Sequence, residues 1–161
     1  MEPNIAVVAE TIKQVNEPMV KNFRIVEPGL ALSAAPASAE EIDWLNSQGV
    51  RLIVSLHPVS DVAVKRMREL GIEWRPLLME DFVGGPPSGF RETLDEVRKR
   101  TTEEPVALIH CSGGGGRAGT VYAAYRIRGG EDPATVIADT PGVSRDDQIS
   151  FLRGWAAGIG A

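Results

Sequence analysis

The chain has 161 residues, 43% of them apolar, a formal net charge of −5, one cysteine and two histidines. That length suits one packed domain, and the acidic balance excludes a broad basic surface of the kind that gathers nucleic acid. A lone cysteine excludes an internal disulfide, and the apolar run Ile5 to Ala9 is too short for a signal core or a membrane span, so the expected setting is cytoplasmic.

Residues 1–21 have weak periodicity, interrupted at Glu17-Pro18, and are set apart as an N-terminal segment of unassigned role ahead of a single domain over residues 22–161. Phe23–Val26 and Leu30–Ser33 flank the turn signal Pro28-Gly29 and read as an antiparallel pair at a sheet edge. Ser38-Ala39-Glu40-Glu41 has the form of a capping box opening a helix that Gly49 closes. Val50–Leu56 is dense enough in apolar residues for a strand buried on both faces. Asp61–Leu70 reads as a helix stopped by Gly71, Ile72–Leu78 as the next strand, and Pro87–Arg100 as a helix with a polar outer face. Pro105–His110 is a short apolar strand, and a helix follows over Ala118–Tyr125. This alternation predicts an α/β fold: a three-layer α/β/α sandwich with a mostly parallel central sheet and ligands at the carboxyl ends of its strands.

The densest chemistry lies between the last predicted strand and the helix after it, in His110-Cys111-Ser112-Gly113-Gly114-Gly115-Gly116-Arg117. Consecutive glycines let the backbone take positive φ and turn its N–H groups inward, and a helix start adds unpaired donors and a positive dipole end. Arg117 offers a planar fork to two phosphate oxygens, and the same positive field favours the thiolate of Cys111. Other readings compete. In the plainest, Cys111 is a small buried hydrophobe and the glycines a turn. Gly114-x-Gly116-x-x-Gly119 also fits a dinucleotide fingerprint, but too little chain follows for a βαβ series, and a Walker loop needs Lys where Arg117-Ala118 stand.

His110-Cys111-x5-Arg117 followed by Gly119-Thr120 resembles the signature of the cysteine-dependent protein phosphatases, particularly the compact dual-specificity and archaeal-type tyrosine phosphatases. The resemblance implies a phosphotyrosine-phosphatase-like fold and a hydrolase acting through a cysteinyl-phosphate. Cys111 is then the nucleophile, and Arg117 with the backbone N–H groups of Ser112, Gly113, Gly114, Gly115 and Gly116 binds the phosphoryl oxygens. In that family an aspartate about thirty residues before the cysteine protonates the leaving oxygen, and Glu80-Asp81-Phe82-Val83-Gly84-Gly85-Pro86-Pro87 looks like its loop. Asp81 is the matching acid, with Glu80 as the fallback. Gln148, in Ser144–Leu152, is similar to the glutamine that orients the hydrolytic water. His110 orders the loop through hydrogen bonds, and Thr120 supports it from the helix. No metal or cofactor is implied.

The position after the signature arginine usually carries a hydroxyl that hydrogen-bonds the sulfur, and here it is Ala118. Unless Ser112, Thr120 or a water substitutes, the thiolate is held less firmly and turnover is slower. The expected partners are phosphorylated proteins, on phosphotyrosine and also on phosphoserine or phosphothreonine, together with inhibitory phosphate, vanadate and sulfate; neither nucleic acid nor a membrane is expected. Two alternatives stay open: a catalytically weak phosphate- or phosphoprotein-binding module, and a phosphatase for an RNA 5′ end or a small metabolite. His57, at the end of its strand, reads as a solvent-facing or satisfied histidine.

Overall fold

The computed structural model describes residues 18–101 and 106–158. Five strands form one sheet in the order β1-β2-β5-β3-β4: β1 (Arg24–Glu27), β2 (Leu30–Ser33), β3 (Val50–Ser55), β4 (Glu73–Pro76) and β5 (Val106–His110). Only β1–β2 is antiparallel, and β2, β5, β3 and β4 run parallel. The expected mostly parallel sheet with an antiparallel edge is therefore present, though β4 is shorter than Ile72–Leu78 and β1 starts one residue later than expected. Pro105 and most of the segment 1–21 lie outside the described residues.

Side chains alternate across the sheet and divide the core in two. Leu30, Leu32, Leu52, Val54, Ala107 and Ile109 face one layer of helices, while Ala31, Ile53 and Leu108 face the other. The second layer holds α1 (Ala39–Ser47) and α2 (Asp61–Leu70), which supply Ile42, Leu45, Ala63 and Met67. The first holds α3 (Phe90–Thr101), α4 (Gly116–Arg128), α5 (Pro133–Asp139) and α6 (Asp146–Ala156), with Phe90, Leu94, Val121, Tyr125, Val136, Leu152 and Trp155 inward. Val20 is fully buried beside α1 and β3, so the packed body begins before residue 22.

Local chemistry explains the boundaries. Ser38 Oγ accepts from Glu41 N at 3.1 Å and caps α1, and Glu41 Oε1 answers by accepting from Ala37 N at 3.2 Å. Ser60 caps α2 in the same way through Ala63 N, and Asp132 caps α5 through Thr135 N. α4 starts two residues before Ala118, at Gly116, so the glycine loop runs directly into a helix N-terminus. The expected segment Pro87–Arg100 becomes helical only at Phe90, after the turn at its prolines and Gly89.

Candidate active site

β5, the central strand, ends at His110 and delivers Cys111 to the carboxyl edge of the sheet, with the sulfur-bearing residue 3% exposed. The loop that follows folds back over it, so that Gly114 N donates to Cys111 Sγ at 3.2 Å. Of the four glycines only Gly114 has positive φ, at 82°, so the conformational freedom that the run offers is used at one position. A Cβ at Gly114 would also stand 2.5 Å from the carbonyl carbon of Ser33 and 2.6 Å from the nitrogen of Ala34. The loop thus passes close over the end of β2, and Ala35 N donates to Ser112 O at 3.1 Å to fix its start.

Around Cys111 lies a pocket of about 490 Å³ lined by Asn22, Glu80, Gly113, Gly115, Gly116, Arg117, Ser144, Arg145 and Gln148. Arg117, on the first turn of α4, is half-buried and donates from Nη1 to Met79 O at 2.9 Å. That bond ties the arginine to the segment carrying Glu80 and Asp81. Glu80 lines the pocket, whereas Asp81 is exposed and its Oδ1 accepts from Val83 N at 2.9 Å. The expected acid therefore sits on the expected loop but caps that loop's own turn, while the fallback carboxylate faces the cysteine's pocket. Phe82 anchors the loop between them, 4.9 Å from the Phe151 ring.

Gln148 is buried at the start of α6, where its Oε1 accepts from Ser144 N at 2.9 Å and Arg145 N at 3.0 Å. With its carbonyl occupied, it turns Nε2 toward the glycine loop, and a Cβ at Gly116 would stand 2.9 Å from that nitrogen. Thr120 does not serve the sulfur: its Oγ1 donates to Gly116 O at 2.7 Å within its own helix. Ser112 is exposed. His57 is half-buried at the end of β3 and is not among the pocket's lining residues.

His110 is fully buried and uses both ring nitrogens. Nδ1 lies 3.1 Å from Cys111 O, and Nε2 lies 2.6 Å from Ser55 Oγ, which also accepts from Trp74 Nε1 at 2.8 Å. A carbonyl only accepts, so Nδ1 carries the proton, Nε2 accepts from the Ser55 hydroxyl, and Trp74 Nε1–H donates to that hydroxyl's oxygen. Burial pushes the ring's pKa down to about 4, so the neutral form is the one that holds the backbone at Cys111. Among the described residues no group of three or more His, Cys, Asp or Glu side chains gathers to hold a metal.

Residues 20–159 match the family model described as PTP-SAK, the Swiss Army Knife protein DSP-PTPase phosphatase domain. The chain belongs to this DSP-PTPase family. The compact dual-specificity and archaeal-type likeness read from the signature is thereby met, and so is the fold. No curated protein sequence matches the domain. Among solved structures this DSP-PTPase domain is similar to kinase-associated phosphatase carrying a catalytic cysteine-to-serine substitution, with 21% identity and a TM-score of 0.69 over 82% of this chain and 88% of that one. It is similar to P. aeruginosa TpbA in complex with pTyr, at 20% identity and TM-score 0.62 over 89% and 92% of the two chains. It is also similar to PTPMT1 in complex with PI(5)P, at 18% identity and TM-score 0.69 over 86% and 97%. At these identities the likeness is one of fold.

Sequence reasoning missed Asn22, Ser144, Arg145, Ser55 and Trp74. Asn22 Nδ2 donates to Gly113 O at 2.8 Å across 91 residues of chain, a distance that no local spacing encodes. The residue type is the one sign the sequence carries, since asparagine tolerates the positive φ of 61° found here better than most residues.

Proposed function

We propose that this domain hydrolyses phosphate monoesters through a cysteinyl-phosphate formed on Cys111. The observation that carries the reading is the buried cysteine at the carboxyl end of the central strand, with a backbone N–H on its sulfur and Arg117 beside it in one pocket. The thiolate attacks phosphorus as the P–O bond to the leaving group breaks, and the equatorial oxygens are met by Arg117 and the N–H groups of residues 112–117 other than Gly114, whose N–H stays on the sulfur. Asp81 protonates the leaving oxygen once it exchanges the Val83 amide for the pocket. A water then attacks the phosphocysteine, gives its proton to the Asp81 carboxylate, and expels the thiolate as inorganic phosphate forms. Gln148 assists through Nε2, donating to that water and fixing its orientation. Oxyanions such as phosphate, vanadate and sulfate would occupy the same loop and inhibit.

The substrate class favoured by family membership is phosphoprotein: phosphotyrosine, with phosphoserine or phosphothreonine in addition. Similarity to a fold that holds pTyr in TpbA supports it, and a lone reactive thiol suits a reducing cytoplasm. A second reading, hydrolysis of a small non-protein phosphate, is favoured by the pocket wall, which carries Asn22, Glu80, Ser144, Arg145 and Gln148 and no aromatic side chain. Rapid acid quench with an aryl phosphate, followed by mass spectrometry of the Cys111 peptide, tests the chemistry: a phosphoryl adduct is expected, and turnover with none at any time point would overturn it. Comparing kcat/KM for phosphotyrosyl and phosphoseryl peptides with that for polyol phosphates separates the two substrate readings.

A further inference from the structure

We infer that Asn22 is a positioning residue for the nucleophile: it clamps the peptide plane whose other end donates to the Cys111 sulfur, doing the work of the hydroxyl absent at Ala118. The peptide joining Gly113 to Gly114 is one rigid plane with its C=O and N–H pointing in opposite directions. Asn22 Nδ2 holds the oxygen of that plane at 2.8 Å, and its N–H reaches Cys111 Sγ at 3.2 Å. Between two glycines such a plane flips readily, because neither neighbour has a side chain to resist rotation. A flip would remove the donor from the sulfur and aim a carbonyl at it.

The clamp is itself built. Asn22 is the sole described non-glycine residue with positive φ, and its own carbonyl accepts from Arg24 Nη1 at 2.9 Å. Lys21 O accepts from Ala34 N at 2.9 Å, and Val20 is buried in the core, so the turn is docked on the end of β2 from both sides. Two hydroxyls near the site do not reach the sulfur: Thr120 is engaged by Gly116 O and Ser112 is exposed. Among the described residues the N–H of Gly114 is therefore the donor the sulfur has, and Asn22 keeps it there.

The inference rests on a thiolate being the working form of Cys111, and its test needs no substrate, so it can fail separately from the phosphatase reading. The pH profile of Cys111 alkylation by iodoacetamide is measured on the full chain in the wild type, Asn22→Gly and Asn22→Asp. Glycine keeps the positive φ and loses the amide; aspartate keeps the shape and cannot donate to a carbonyl. In both variants the profile's midpoint should move upward by about half a unit or more, the rate at acid pH should fall, and the alkaline plateau should rise modestly, since a more basic thiolate is more nucleophilic. General damage to the fold does not give that crossing pattern. Adding Ala118→Ser to Asn22→Gly should bring the midpoint back toward the wild type. Superimposable profiles for the wild type and both variants would overturn the inference, as would failure of Ala118→Ser to restore the Asn22→Gly profile.

Discussion

Gly114→Ala against Gly113→Ala is the sharpest test of how the loop is held. At Gly114 the φ of 82° is unfavourable to any Cβ, and the added atom would meet backbone of Ser33 and Ala34 at 2.5 and 2.6 Å, atoms that cannot swing aside. Left-handed backbone at alanine costs about 1–2 kcal/mol and overpacking about 1–3 kcal/mol more, a total of about 2–5 kcal/mol. For a domain of this size that corresponds to a fall in Tm of about 5–15 °C. If the loop escapes the strain by rearranging, the Tm loss shrinks but the N–H leaves the sulfur, so vanadate affinity falls by about tenfold or more. Gly113 has no positive φ and nothing within 4 Å of its would-be Cβ, so Gly113→Ala should shift stability by no more than about 1 kcal/mol, in the stabilising direction. Differential scanning fluorimetry with and without vanadate reads both quantities. A Gly114→Ala protein with wild-type Tm and wild-type vanadate shift would refute the steric argument.

Cys111→Ser should abolish turnover of an aryl phosphate while vanadate or phosphate still raises the Tm; retained wild-type turnover would exclude covalent catalysis by this residue. Asp81→Asn should slow substrates with poor leaving groups about a hundredfold and good ones far less, whereas a leaving-group-dependent loss in Glu80→Gln with Asp81→Asn unaffected would transfer the acid role to the carboxylate that already lines the pocket. His110 has a folded pKa of about 4 against an ordinary 6.5, so between these values the unfolded chain takes up a proton that the folded ring refuses. Stability should therefore fall as pH drops through that window, by up to about 3 kcal/mol, and His110→Asn should flatten this part of the curve; parallel urea-melt curves for the two proteins from pH 7 to 4 would contradict it.

Most of the fold was legible because its signals are local. Ser38 and Ser60 sit three residues before the amides they cap, Gly71 closes α2 where the pattern ends, and β3 and β5 carry apolar runs that only burial on both faces explains. The cysteine and arginine were legible for the same reason, as both lie on one short loop. What the sequence hid is which of several available partners each side chain takes. Glu80 and Asp81 are neighbours in an exposed loop, and which of them faces the cysteine is decided by the Val83 amide and the Phe82 anchor. The oxygen of Gln148 is consumed by amides at the start of its own helix, so the residue presents its donor to the pocket. The Trp74–Ser55–His110 chain joins three strands and leaves no spacing pattern.

Under the acid role proposed for Asp81, Phe82 governs how that residue can reach the pocket. Its ring is 4% exposed and lies within a run of aromatic neighbours in which Phe90 is 5.6 Å from Phe151 and 5.0 Å from Trp155. Lifting the whole loop would strip that ring from its neighbours at a cost of about 1.5–3 kcal/mol, leaving the raised form at roughly one molecule in ten to one in a hundred and fifty. Bringing Asp81 inward by turning the three peptides between Met79 and Phe82 leaves the ring in place and avoids that cost. The anchor thus selects a small crank over a hinged flap, so the acid step should be insensitive to solvent viscosity, while truncating Phe82 would make it a slow, large-amplitude motion.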